Sequence, residues 1–183
     1  MNGLLTESLA LLVAMVFAVA AVTKLSAWSE LPGVIQNFRV LPRALALPAA
    51  LVLPPLEMAA AVGILTPGTR APAALTAALL FTVFGAALAI NLHRGRRHID
   101  CGCFRSALKQ PLSAAVVVRN LVLAISALLL IPAGGDAMLS PLGWAAAGGG
   151  AVTLFFCYLS IGLVFRAPPP SYEENFHAPR ATH

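Results

Sequence analysis

Two thiols one residue apart, Cys101 and Cys103, separated by Gly102 and preceded by Asp100, are the groups in this chain best suited to chemistry. A disulfide between positions i and i+2 needs a bent backbone to reach the usual Cα separation of about 4.4–6.8 Å. Gly102 can supply that bend. Such a bond is strained, and strained disulfides are the exchange-prone ones. Arg94, Arg96, Arg97 and Arg105 flank the pair and favour the thiolate, the nucleophilic form. Asp100 opposes them or serves as a proton acceptor. A second reading is metal capture, because His98, Asp100, Cys101 and Cys103 are ligands of suitable type and two thiolates suit a soft ion such as copper. The third is a pair of reduced loop cysteines with no chemical task.

Ionisable groups within apolar stretches form the other constellation. Glu57 and Arg119 fall well inside such stretches. On helices running the same way, their Cα atoms differ in depth by roughly 7–8 Å, which an arginine side chain can bridge. A lone charge at that depth costs at least about 2.5–3.5 kcal/mol, so an ion pair between them or placement in the bundle interior is expected. They either form a buried pair that fixes helix register or belong to a polar site for a quinone head group or a proton route. Asn120 and Asn91 are placed to add hydrogen bonds. Lys24 closes the first apolar stretch and reads as a snorkelling cation, Cys157 as a small packing residue, and Trp28 and Trp144 as interfacial anchors. His177 and His183 carry no motif.

The elements that must position these groups are membrane helices. Hydrophobic residues make up 59% of the chain and charged residues 10%, with a mean hydropathy of +0.85; soluble domains average about 25% charged. Five stretches reach the roughly 17–25 residues that span a bilayer: 4–22, 44–65, 72–92, 112–131 and 142–165. The expected fold is therefore an all-α integral-membrane bundle of about five transmembrane helices, occupying 1–166. Residues 167–183 turn polar after Ala167-Pro168-Pro169-Pro170 and are expected to be a disordered tail. Pro48, Pro54 and Pro55 predict a kink in the second span. Gly148, Gly149 and Gly150 predict close packing or a bend in the fifth. The first stretch has no basic residue before it, unlike a cleavable signal peptide, and no internal repeat is evident.

The formal charge of +5 does not indicate nucleic acid, because the basic residues flank the spans. Ten of the twelve Lys and Arg residues fall on the face shared by the first loop, the third loop and the tail. Arg70 alone falls on the other, and Arg119 lies within a span. The positive-inside rule then puts the N-terminus outside and the Cys101 loop in the cytoplasm, within an inner or plasma membrane.

Lys24-Leu25, Pro54-x-x-Glu57, Asn91-x-x-Arg94-Gly95, Asp100-Cys101-Gly102-Cys103-Phe104 and Arg119-Asn120, in that order, resemble the methylamine-utilisation MauE family of DoxX-like helical bundles. The resemblance covers roughly residues 4–131, and its most specific part is DCGCF followed by the intramembrane Arg-Asn pair. Arg105 stands where the family carries glycine. The resemblance implies a membrane accessory protein that matures the small subunit of periplasmic methylamine dehydrogenase, a disulfide-rich chain with a tryptophan-derived quinone. It also implies a thioredoxin-like, MauD-like partner. The combined reading is a thiol-redox maturation factor in which Cys101 and Cys103 exchange with a partner's cysteines. The alternative is a non-enzymatic scaffold or transporter subunit. A periplasmic client and a cytoplasmic Cys101 loop require either a relay of reducing equivalents across the membrane, helped by a bound quinone near Arg119, or a loop folded back into the bundle.

Overall fold

A computed structural model describes residues 3–96, 112–132 and 140–164. The thiol motif (Asp100, Cys101 and Cys103), His98 and the tail at 167–183 lie outside the described residues. The described chain is all-helical: α1 (Gly3–Ser26), α2 (Leu31–Phe38), α3 (Arg43–Leu65), α4 (Arg70–His93), α5 (Ala114–Leu128) and α6 (Pro141–Val164). Four of them, α1, α3, α4 and α6, are long and apolar enough to cross a membrane, while α5 is a shorter apolar helix. At 1.5 Å per residue α5 is about 22 Å long, short of a full bilayer core.

α1 is the central post. It packs against α3 and α6 and touches α5, while α4 packs against α5. Ala10, Val13 and Phe17 of α1 are fully buried, and the Phe17 ring meets Phe81 of α4 at a centroid distance of 4.5 Å. Most of the remaining core is alanine: Ala60 and Ala61 on α3, Ala74, Ala77 and Ala78 on α4, and Ala124 and Ala127 on α5. In lipid no hydrophobic force drives helices together, so small side chains that let backbones approach supply the packing. The exterior shows the same logic reversed. Leu47, Val52, Leu79, Val83 and Leu121 are more than half exposed, an arrangement unsuited to water and suited to a surrounding of acyl chains.

Three sequence expectations meet the structure here. Pro48, Pro54 and Pro55 all lie inside α3, which is helical from Arg43 to Leu65; each withholds a hydrogen bond from a carbonyl one turn earlier. Of the three consecutive glycines, only Gly150 makes a close approach, with a Cβ there falling 3.0 Å from Ser8 Oγ, whereas Gly148 and Gly149 face open space. Cys157 is exposed on α6 rather than packed inside. A fourth feature is additional. The first loop contains α2, whose Leu31, Val34, Ile35 and Phe38 recur at i, i+3, i+4 and i+7, one apolar helix face.

Candidate functional site

α2 roofs a cavity of about 480 Å³ that is bounded by every helix of the bundle. Leu31, Val34, Ile35 and Phe38 all point into it, so the amphipathic face of this short helix is accounted for. The roof is fixed by the Asn91-x-x-Arg94-Gly95 motif. Asn91 Nδ2 donates to the carbonyl of Phe38 at 2.9 Å, and Arg94 Nη1 donates to that of Arg39 at 3.1 Å. These are terminal carbonyls of α2 that its own helix cannot satisfy. Arg39 closes α2 in the left-handed region at φ 48°, an uncommon conformation for a non-glycine residue. Gly95, at φ +70°, ends α4 where a side chain would be strained. Arg96 Nη1 in turn donates to Asn91 Oδ1 at 3.2 Å. The described chain therefore enters the thiol segment from an anchored point.

Within the cavity the described wall is apolar apart from Lys24, Glu57, Arg119, Asn120 and Tyr158. The sequence placed Glu57 and Arg119 in one ion pair; the structure does not. Glu57 Oε1 accepts from Lys24 Nζ at 2.6 Å, with both side chains at most 5% exposed. Helical depth was the reason for the expected pair, but depth says nothing about azimuth. α1 packs along α3 and turns Lys24 inward onto Glu57, whereas α5 packs on α4. Lys24 is thus not a snorkelling cation: it is buried beneath the end of α1, with its ammonium 5.1 Å from the centroid of Phe84. Arg119 instead lies over Tyr158 of α6, its guanidinium carbon 4.3 Å from the ring centroid, a cation–π arrangement.

Two groups are left without complement. Among the described residues, Glu57 Oε2 and the Nε and Nη1 atoms of Arg119 are buried and have no hydrogen-bond partner. Among the described residues Arg119 has no carboxylate partner either. Among the described residues lining this cavity there are consequently two cations and one anion, with unmatched donors on Arg119 and an unmatched acceptor on Glu57. Asn120 is nearly buried and donates Nδ2 to Val116 O one turn back at 2.9 Å. A Cβ at Gly85 of α4 would meet Asn120 Cβ at 3.4 Å, so α4 and α5 approach closely there. Of the expected intramembrane polar residues, Glu57, Arg119 and Asn120 share the cavity, and Asn91 holds its roof.

Sequence reasoning passed over a second buried ion pair. Arg70 donates Nη1 and Nη2 to the two oxygens of Glu7 at 2.7 and 3.0 Å, and its Nε to Ile64 O at 3.0 Å. Glu7 and Lys24 lie near opposite ends of α1, about 25 Å apart along the helix. One pair locks α1 to α4, the other to α3. The clue was available: Glu7 is the one acid of α1, a single turn into a mostly apolar helix.

The family model for methylamine utilisation protein MauE matches residues 2–133. The chain belongs to the MauE family. The methylamine utilization protein MauE of Paracoccus denitrificans is 51% identical over 123 residues, 67% of this chain and 66% of the relative. That of Methylorubrum extorquens is 46% identical over 140 residues, 73% of this chain and 75% of the relative. That of Paracoccus versutus is 44% identical over 133 residues, 69% and 72% of the two chains. The chain therefore spans just under two thirds of the first relative. No solved structure matches it. The MauE match takes in α1 to α5 and the thiol segment, while Tyr158 on α6 lies beyond it. Four membrane-length helices plus a shorter one fit a multi-pass membrane protein.

Proposed function

We propose that this MauE-family protein is a membrane accessory factor of methylamine utilisation that matures the disulfide-bonded small subunit of methylamine dehydrogenase, or a similar periplasmic client, by thiol–disulfide exchange. The observation that carries the reading is the Asp100-Cys101-Gly102-Cys103 segment in a chain of this family. One thiolate attacks a disulfide sulfur of the partner, a mixed disulfide forms and a partner thiolate leaves. The second cysteine then attacks that mixed disulfide, releasing the partner as a dithiol and leaving a Cys101–Cys103 disulfide. Two electrons pass from this protein to the partner; the reverse sequence oxidises a client dithiol. A thioredoxin-like, MauD-like protein is the proposed partner. The anchored turn at Asn91, Arg94 and Gly95 supports the reading, because it fixes the end of α4 just ahead of the thiol segment in sequence.

Charge bias places the N-terminus outside and the thiol segment on the cytoplasmic side. The test is trapping in native membranes. With Cys101→Ser or Cys103→Ser, one of the two variants loses its resolving thiol and accumulates a mixed disulfide with the thioredoxin-like partner. No adduct from either variant refutes the exchange. Copper or zinc retained by the wild type and lost from Asp100, His98 and cysteine variants alike would assign the segment to metal binding instead.

A further inference from the structure

The cavity beneath α2 has a chemistry that the thiol reading does not use. We propose that it binds a membrane-soluble quinol, whose ring oxygens complement the unpartnered groups of Arg119 and Glu57. Neither Cys101 nor Cys103 enters this inference, so it stands or falls apart from the exchange reaction.

The volume, about 480 Å³, lies within the range of small-molecule sites, which are mostly apolar with a few convergent polar groups. Val52 of α3 and Val83 of α4 line it and are 59% and 64% exposed, so the cavity meets the outer, lipid-facing surface between these helices. An occupant arriving that way comes from the acyl-chain phase and is itself largely apolar.

The polar complement narrows its head group. Arg119 offers only N–H donors, and the carboxylate oxygen of Glu57 is only an acceptor; all three unmatched atoms are buried. An ionised fatty acid would satisfy Arg119 but has no hydrogen to donate to Glu57 Oε2. An aliphatic alcohol has one oxygen for two separate needs. An oxidised quinone accepts from Arg119 and has no hydrogen for Glu57. A hydroquinone carries two hydroxyls on a flat ring, so that one accepts from Arg119 while the other donates to Glu57 Oε2. The surrounding rings of Phe17, Phe81, Phe84 and Tyr158 suit a planar aromatic head, and the Leu and Val side chains of α3 and α4 suit an apolar tail.

The full-length protein, purified and depleted of quinones, is titrated anaerobically in detergent with decylubiquinol, decylubiquinone and myristate. Saturable binding of one decylubiquinol per chain, tighter than decylubiquinone, is expected. Arg119→Leu and the charge-neutral Lys24→Met/Glu57→Leu double variant should each weaken it about 10- to 100-fold, the effect of losing a hydrogen bond to a charged group. The Cys101→Ser/Cys103→Ser variant should bind as the wild type does. Where a polar variant does not fold, Ala20→Leu, which fills the cavity from α1, must abolish binding. Myristate bound in place of the quinol, the quinone bound alone, or equal partitioning into wild type and Ala20→Leu would each overturn the proposal.

Discussion

Lys24→Met tests the buried ion pair most sharply. Glu57 is 1% exposed, and its Oε1 has Lys24 Nζ at 2.6 Å while Oε2 has no partner among the described residues. Removing the ammonium strands a carboxylate with neither oxygen partnered in an apolar wall. Breaking a buried pair in this way costs about 3–5 kcal/mol. Glu57→Leu strands Lys24 instead, and the Phe84 ring at 5.1 Å offsets part of that cost, since a cation–π contact contributes about 0.5–2 kcal/mol. Glu57→Leu should therefore sit at the lower end of the range. Replacing both partners removes both charges, and apolar replacement of a buried pair is often neutral or stabilising. The double variant should fall within about 1 kcal/mol of the wild type, so with single losses of about 3 kcal/mol or more the coupling energy should be at least about 5 kcal/mol. Reversible unfolding in mixed micelles, followed by far-ultraviolet circular dichroism, measures all four corners of the cycle. Additive effects of the two substitutions would refute the pairing. So would a Lys24→Met variant as stable as the wild type.

Other consequences follow from single contacts. Gly63→Ala puts a Cβ 2.8 Å from Ala73 Cβ, so α3 and α4 must separate at a cost of about 1–3 kcal/mol; Ala73→Gly in the same chain should restore the thermal midpoint. Asn91→Leu leaves the Phe38 carbonyl without its side-chain donor, a loss of about 1–3 kcal/mol, and hydrogen exchange over residues 31–38 should accelerate while α1 stays protected. For orientation, a membrane-impermeant maleimide should label Cys101 and Cys103 in inverted vesicles and not in intact cells; the opposite pattern would reverse the proposed topology.

The helical membrane class was legible because it needs only runs of apolar residues of bilayer length. The partners of buried charges were not, because rise along a helix gives depth while partner choice depends on which helices are neighbours. Glu57 and Arg119 have compatible depths, yet the packing of α1 on α3 gives Glu57 to Lys24. A cation at a helix end snorkels by default; Lys24 departs from that default only because a carboxylate waits inside. α2 was legible in principle, since Leu31, Val34, Ile35 and Phe38 follow the helical period, but its eight residues begin beside Pro32 and Gly33 and read as loop. The motif residues Asn91, Arg94 and Gly95 were visible as a pattern, and only the fold shows that they hold the end of α2. Tyr158 gave no signal, as nothing in an apolar helix marks the aromatic ring that will stack on an arginine.

The central claim is that the two thiols carry the function, and client maturation measures it directly. In a host lacking its own copy of this gene, grown on another carbon source and induced with methylamine, wild-type protein should restore mature, active methylamine dehydrogenase. The Cys101→Ser/Cys103→Ser double variant, inserted in the membrane at wild-type levels, should leave the small subunit unmatured and its disulfides incomplete. Full dehydrogenase activity with that double variant would contradict the account and make this protein a scaffold whose cysteines are incidental.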